Sequence, residues 1–164
     1  MIIREATVQD YEEVARLHTQ VHEAHVKERG DIFRSNEPTL NPSRFQAAVQ
    51  GEKSTVLVFV DEREKIGAYS VIHLVQTPLL PTMQQRKTVY ISDLCVDETR
   101  RGGGIGRLIF EAIISYGKAH QVDAIELDVY DFNDRAKAFY HSLGMRCQKQ
   151  TMELPLLEHH HHHH

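Results

Sequence analysis

Residues 96–108 have the composition of an anion-binding loop. They read VDETRRGGGIGRL, so four of the five positions 102–106 are glycine. Glycine permits backbone conformations that a Cβ atom forbids, and consecutive N–H groups can then turn toward one point. Arg101 and Arg107 add positive charge at the start of a predicted helix, where the helix dipole also favours an anion. The segment therefore predicts a pyrophosphate site.

Three other interpretations of this loop fit the sequence less well. A P-loop requires a Lys-Ser/Thr pair, which the segment lacks. A dinucleotide-binding G-x-G-x-x-G pattern that began at Gly102 would need a glycine at Arg107. A glycine-rich turn with no ligand would add unfolded-state entropy without any compensating contact.

The loop and its surroundings resemble the GNAT superfamily of N-acetyltransferases. The family signature R/Q-x-x-G-x-G/A is matched by Arg101, Gly104 and Gly106. Residues 92–96, SDLCV, resemble the fourth strand of the family, and the resemblance as a whole covers residues 1–154. Downstream, the fifth strand, the N-x-x-A-x-x-F/L-Y helix and the L-G-F/M ending are matched by residues 128–133, Ala136, Phe139, Tyr140 and residues 143–145.

The resemblance implies that acetyl-CoA is the co-substrate and that no metal is needed. Coenzyme A would place its pyrophosphate on the glycine loop and its pantetheine arm along the fourth strand. A backbone N–H of that strand could also polarise the thioester carbonyl. The implied coenzyme-binding residues are Leu94, Cys95, Val96, Arg101, Gly102, Gly103, Gly104, Ile105, Gly106, Arg107, Asn133, Phe139 and Tyr140.

Tyr140 matches the general acid of the family. Amine attack on a thioester expels a thiolate, and a phenol has a reference pKa of about 10, close to that of a thiol. Without the family motif, Tyr140 would be interpreted as a core aromatic residue. Asn133 would likewise be interpreted as a helix N-cap, and in the family this asparagine often also reaches the coenzyme.

The acceptor amine arrives as an ammonium ion and must lose a proton. Asp93 and Asp128 are the candidate bases, acting directly or through water. Some family members carry a glutamate base at the position of Asp128, and polyamine-acetylating relatives carry an acidic residue at the position of Asp93. The sequence does not choose between them, and ordinary solvated carboxylates fit both positions equally well.

Three histidines lie at i, i+4 and i+7 on the first predicted helix. This spacing could ligate a metal, but no carboxylate or cysteine set completes a site. In the family the helix borders the acceptor pocket, so the specificity candidates are His18, His22, His25, Phe33 and Arg34. Cys95 is interpreted as a small apolar strand residue and not as an acyl-enzyme nucleophile.

Hydrophobic patterning predicts the elements that must hold these residues. Their order is β-α-α-β-β-β-α-β-α-β, which gives an α/β or α+β fold with a mixed, mostly antiparallel sheet of six to seven strands and helices on both faces. Residues 88–130 should form a right-handed parallel crossover. Strands are predicted at residues 1–6, 55–60, 66–75, 88–96, 124–130 and 145–154, and helices from Thr7 to about residue 25 and at 45–49, 104–120 and 133–143.

Residues 1–156 are predicted to form one domain, and residues 157–164, LEHHHHHH, read as an expression tag. The chain leaves room for about one strand after Gly144, where longer family members have a hairpin. Two alternatives remain for this strand: it is completed by a partner subunit in a homodimer, or it is absent.

Composition excludes several classes of protein. The formal net charge is −4 and no basic stripe is present, which argues against a nucleic-acid partner. No apolar run approaches the ~20 residues of a membrane span, and the N-terminus has no signal-peptide pattern, so a cytoplasmic protein is expected. Its two cysteines, Cys95 and Cys147, form no disulfide framework.

Three functions remain open at this point. The first is an N-acetyltransferase that acts on a small primary amine such as a polyamine, an amino sugar or an amino acid derivative. The second is acetylation of a protein N-terminus or lysine side chain. The third is a coenzyme A-binding sensor without turnover, which Tyr140 together with an acidic strand residue disfavours.

Overall fold

A computed structural model describes residues 1–157, so the predicted tag lies outside the described residues except for Leu157. The strands are β1 (Ile2–Glu5), β2 (Ser54–Val60), β3 (Ile66–Gln76), β4 (Lys87–Val96) and β5 (Ala124–Leu127). The helices are α1 (Tyr11–Glu28), α2 (Pro42–Gln50), α3 (Ile105–Ala119) and α4 (Asp134–Ser142), with 3₁₀ turns at Val8–Asp10 and Glu98–Arg100. Every described helix is too short or too polar to span a bilayer.

The five strands form one mixed sheet in the order β1-β2-β3-β4-β5. The first four are antiparallel neighbours, and β5 is parallel to β4. The parallel pair needs a crossover, and α3 provides it. β2 is apolar from Val56 to Val60 and is buried at all of its residues after Ser54, because both of its faces are covered.

The sheet separates two hydrophobic cores. On one face, α1 and α2 insert Val14, Leu17 and Phe45 against β2 and β3. On the other face, α3 inserts Ile109 and Ile113 against β3 and β4. Helices therefore lie on both faces, as the sequence predicts.

Two strand predictions are wrong. The prediction of six to seven strands fails because residues 145–154 form no strand within the described chain, which leaves five. β5 also ends at Leu127 instead of residue 130, because β4 and β5 separate there and residues 128–130 lose their pairing partner. The alternating pattern of residues 124–130 could not reveal this separation, since it reports burial of one face and not pairing.

Candidate active site

A cleft opens in the sheet where β4 and β5 separate. The two strands pair only over residues 88–91 and 124–127. β4 then continues to Val96, and over this stretch it pairs with β3 alone among the described strands. One row of its backbone N–H and C=O groups therefore faces the cleft. This edge, at residues 94–96, is where the sequence predicts the pantetheine arm to pair.

A β-bulge in β4 decides which side chains share a face. Asp93 and Ile91 pair with consecutive residues of β3, so Ser92 between them has no partner in the ladder. One extra residue shifts the alternation of side chains by one position. Tyr90 and Asp93 therefore lie on the same face of the sheet, under α1. Simple alternation would place them on opposite faces.

The glycine loop leads from the 3₁₀ turn into α3. Gly102 and Gly104 have φ angles of +89° and +80°, a region that residues with a Cβ atom rarely adopt, and Gly104 is the N-cap of α3. A Cβ atom at either position would meet nothing within 4 Å, so the space above the loop is open. Arg101 and Arg107 are exposed beside it. Free helix amides, open space and two guanidinium groups fit a pyrophosphate.

Two residues outside the predicted site hold this loop in place. Asp97 is 7% exposed and accepts hydrogen bonds from the Thr99 amide at 3.1 Å and from Arg16 Nη1 at 3.0 Å. Burial alone would raise the pKa of Asp97, but the bonds from Thr99 and Arg16 outweigh it and lower the pKa to about 2. Arg100 forms an ion pair with Asp61. An aspartate between a strand and a helical turn is a capping signal that could have identified Asp97.

Helix α4 approaches the loop from the side of β5. Asn133 caps it, because its side-chain oxygen accepts a hydrogen bond from the Ala136 amide at 3.1 Å. A Cβ atom at Gly106 would lie 3.1 Å from the Phe139 ring, closer than an ordinary contact. The glycine at 106 therefore lets α3 and α4 come together at the cleft.

Tyr140 lies next on α4, near Cys95 of β4. Burial, followed by the charge of a neighbouring Cys95 thiolate, raises the pKa of the Tyr140 phenol. The phenol is therefore protonated at neutral pH, as a proton donor must be. Its hydroxyl has no hydrogen-bond partner among residues 1–157 and is not fully enclosed. Burial also raises the pKa of the Cys95 thiol to about 12, which disfavours a nucleophilic thiolate.

Both candidate carboxylates lie toward α1 and are held by tyrosines. Asp93 Oδ2 accepts a hydrogen bond from the Tyr69 hydroxyl at 3.1 Å, and Asp128 Oδ2 accepts one from the Tyr90 hydroxyl at 2.8 Å. Burial, and then the bond to Asp128, raise the pKa of Tyr90 to about 12. Because Tyr90 lies on the same face as Asp93, the two carboxylates border one space.

The three histidines of α1 lie over that space. His18 and His22 are stacked with ring centroids 6.0 Å apart. Burial is the main cause that lowers the pKa of His18, while the Asp93 carboxylate acts in the opposite direction. Within the described residues, no three His, Cys, Asp or Glu side chains are placed to hold a metal.

The ring of His25 lies at the centre of an aromatic cluster. From the sequence, only His25 and Phe33 of this cluster are candidates. Its ring meets Phe33 at 5.1 Å, Phe132 at 5.3 Å and Tyr130 at 5.6 Å, all nearly edge to face. The loop after α1 contributes Phe33, and the segment after β5 contributes the other two. Their aromatic types were the only signal, because the predicted strand included residue 130. Arg34 is exposed, and its carbonyl pairs with a histidine ring.

The profile of the Acetyltransferase (GNAT) family matches residues 15–145. The chain belongs to this family. It is therefore an N-acetyltransferase of the acyltransferase class, and the predicted family is confirmed. A comparison with curated proteins finds no match.

Solved structures of other proteins are also similar to this chain. A tetramutant of the BH1408 protein from Bacillus halodurans is 98% identical, with a TM-score of 0.94 and coverage of 95% of this chain and 100% of that one. An aminoglycoside acetyltransferase from an uncultured soil metagenomic sample is 18% identical, with a TM-score of 0.72 and coverage of 96% of each chain. Glucosamine-6-phosphate N-acetyltransferase from Arabidopsis thaliana is 20% identical, with a TM-score of 0.62 and coverage of 94% and 97%. The last two show a shared fold.

GNAT enzymes use acetyl-CoA as co-substrate, and the cleft of this GNAT protein brings most of the predicted residues together. The glycine loop, the edge of β4 and the start of α4 meet at one end, and Asp93 and Asp128 lie toward α1. A separate cavity of about 620 Å³ lies on another side of α1, beneath residues 35–39. None of the predicted coenzyme-binding or catalytic residues lines it.

Proposed function

We propose that this GNAT protein transfers the acetyl group of acetyl-CoA to a small primary amine by direct attack on the thioester. The observation that carries the proposal is the chemical contrast between the two ends of one cleft. The open glycine loop with Arg101 and Arg107 suits an anion, whereas the carboxylates of Asp93 and Asp128 suit a cation.

At the end of the cleft that suits an anion, backbone groups do most of the coenzyme binding. The amides of residues 102–106 receive the pyrophosphate, and the free edge of β4 at residues 94–96 pairs with the pantetheine arm. Acetyl-CoA supplies the thioester that is attacked. A backbone N–H of the same edge can stabilise negative charge that develops on the carbonyl oxygen.

At the other end, side chains select the acceptor. A carboxylate attracts an ammonium group, and the faces of Phe33 and Tyr130 can pack against its carbon skeleton or against the cation itself. The ring cluster joins the α1 loop to residues 130–132 at this end of the cleft.

Two proton movements complete the reaction. The acceptor ammonium must lose a proton before it can attack, and Asp93 or Asp128, directly or through water, can take it. The thiolate that leaves must gain a proton, and Tyr140, which is protonated at neutral pH, can give it. Asn133 caps α4, and Phe139 of the same helix as Tyr140 packs against Gly106 of the loop.

A panel of amines tests the acceptor class. Polyamines, amino sugars, amino acid amides and lysine-bearing or N-terminal peptides are incubated with acetyl-CoA, and release of free thiol is followed. We expect a small primary amine to give the fastest release. A peptide as the best substrate would overturn the small-molecule acceptor. Binding of acetyl-CoA without turnover on any amine would favour the sensor.

We also propose that the segment after α4 pairs with a second copy of the chain. Residues 146–156 form neither helix nor strand, and Met152 and Leu154 are 85% and 82% exposed. The outer edge of β5 pairs with no described strand. An open edge and an exposed apolar segment favour strand addition between copies. Light scattering should show a dimer at micromolar concentration, and a monomer whose mass is unaffected by removal of residues 146–156 would contradict this.

A further inference from the structure

A chain of hydrogen bonds fixes the protonation of His18. The hydroxyl of Thr19 donates to the carbonyl of Ala15 at 2.9 Å. The hydroxyls of Thr19 and Thr39 are 2.8 Å apart, and Thr39 Oγ1 lies 3.0 Å from Nδ1 of His18. Each hydroxyl has a single hydrogen to donate.

The direction of every bond follows from that count. Thr19 has already used its hydrogen, so Thr39 must donate to Thr19. Thr39 has then used its own hydrogen, so it can only accept from Nδ1–H of His18. A neutral imidazole carries one N–H, and His18 therefore presents Nε2 as an unprotonated acceptor.

Nε2 of His18 is also available. It has no hydrogen-bond partner among residues 1–157, and no side-chain nitrogen or oxygen in this part of the chain is both enclosed and unpaired. The atom is therefore open to a ligand or to water. Asp93, on the strand whose edge faces the cleft, is close enough to act on the His18 charge.

The surroundings keep this imidazole neutral near pH 7. Burial lowers the pKa of His18, and His22 and His25 of the same helix lower it further. Asp93 of β4 raises it, but its carboxylate is shared with the Tyr69 hydroxyl. A base must be unprotonated before it can accept a proton. A histidine whose pKa lies below its ordinary value meets this condition at pH 7.

We propose that Nε2 of His18, in place of Asp93 or Asp128, takes the proton from the acceptor ammonium. This step rests on the proposed amine acetylation. The Nε2 lone pair removes one proton from R–NH₃⁺ and becomes an imidazolium, which the Asp93 carboxylate stabilises, and the neutral R–NH₂ is released to attack the thioester. The imidazolium later returns the proton to water.

Long-range ¹H–¹⁵N NMR of the imidazole rings tests the first half of the inference without any substrate. The His18 signals are identified by comparison with His18→Asn. At pH 7 we expect the pattern of a neutral ring protonated at Nδ1, and Thr39→Val should convert it to a mixture of tautomers. A ring protonated at Nε2, or an imidazolium at pH 7, would overturn the inference.

Kinetics test the second half. His18→Asn can keep a donor to Thr39 but has no basic nitrogen, so the single-turnover rate at saturating acetyl-CoA should fall about 10²-fold with the best amine of the panel. The rise of the rate with pH should move toward the pKa of the free amine. His120→Asn, at the C-terminal end of α3, is the matched control and should keep the parental profile.

The outcomes separate this inference from the proposed function. If His18→Asn keeps the parental rate and pH profile while amine acetylation proceeds, the role of His18 is overturned and amine acetylation stands. If no amine of any kind is acetylated, the proposed function fails, and the assignment of His18 as its base fails with it whatever tautomer NMR reports.

Discussion

The two ends of the cleft are built in different ways. The end proposed for coenzyme A uses main-chain groups from two short contiguous stretches, residues 94–96 and 101–107. The end proposed for the acceptor uses side chains from α1, the loop after it, β4 and the segment after β5. A backbone site depends on conformation and tolerates side-chain change, whereas a side-chain site depends on the packing that brings distant residues together. Variants should therefore affect the two ends separately.

Tyr140→Phe should give the largest effect on the reaction rate. It removes only the hydroxyl that is proposed to protonate the leaving thiolate. A contact made only in the transition state lowers kcat and kcat/KM together when it is lost. We expect kcat to fall by about 10²–10⁴-fold, with acetyl-CoA affinity unchanged. Pre-steady-state thiol release is the proper measurement, since slow product release could hide the loss.

A Tyr140→Phe protein that acetylates at the parental single-turnover rate would make Tyr140 a packing residue of α4. The general base of the acceptor amine and a water molecule at the leaving thiolate would then account for proton transfer without Tyr140. Weaker acetyl-CoA binding in this variant would mean that the hydroxyl belongs to the coenzyme end, and the division between the two ends would be wrong.

Acetyl-CoA itself tests the backbone end as a whole. A ligand that binds only the folded state at about 100 times its Kd adds about 2.7 kcal/mol to the free energy of unfolding. Differential scanning fluorimetry should therefore show a higher Tm with millimolar acetyl-CoA or coenzyme A. An unchanged Tm at millimolar ligand would contradict the proposed coenzyme-binding site at the glycine loop.

Gly104→Val tests the conformation on which the backbone end depends. At φ +80° a β-branched residue is strained by about 1–3 kcal/mol, so the binding-competent loop becomes a minor state. We expect acetyl-CoA Kd to rise about 10- to 100-fold, and the loss of stability to stay within that strain because a Cβ there meets no neighbour.

Gly103→Ala is the matched control for this change. Gly103 is not in the left-handed region, and a Cβ there would sit at an ordinary 3.5 Å from the Arg100 carbonyl. Its acetyl-CoA affinity should be nearly parental when measured by calorimetry. Equal losses in both variants would mean that side-chain bulk, and not backbone conformation, limits binding.

The same contrast explains what the sequence could predict. The glycine loop could be predicted from its composition and spacing, whereas the roles of Asn133 and Tyr140 were implied only by the family motif that they match. The shared face of Asp93 and Tyr90 depends on the bulge at Ser92, which has no sequence signature in β4. Simple alternation would place the two side chains on opposite faces, because it takes no account of a bulge that is set by pairing with β3.

The acceptor end was harder to predict for a second reason. His25 and Tyr130 are far apart in sequence, and only the fold shows that their rings meet. The chain of hydrogen bonds that orients His18 likewise joins α1 to Thr39, a loop residue that belongs to no sequence motif. Long-range side-chain contacts of this kind follow from tertiary packing and leave no local pattern.

Asp97→Asn should give the smallest effect and tests the link between the two ends. Asp97 ties the start of the glycine loop, through Thr99, to α1, through Arg16. A carboxyl whose folded-state pKa is lowered from 3.8 to about 2 stabilises the fold above its unfolded pKa, and this contribution is lost as pH falls through about 4 to 2. We expect Asp97→Asn to lower the free energy of unfolding by about 1–2 kcal/mol at pH 7.

The pH dependence separates this ion pair from a general loss of packing. In urea titrations the difference between parent and Asp97→Asn should shrink below pH 4 and vanish below pH 2, because the parental carboxyl is then protonated too. Asp131→Asn is the matched control, since Asp131 pairs with Lys137 but its side chain is 100% exposed, and it should cost almost nothing. A loss in Asp97→Asn that persists unchanged at pH 2 would mean that the amide disturbs the turn itself. The two ends would then be joined by backbone geometry and not by the charge of Asp97.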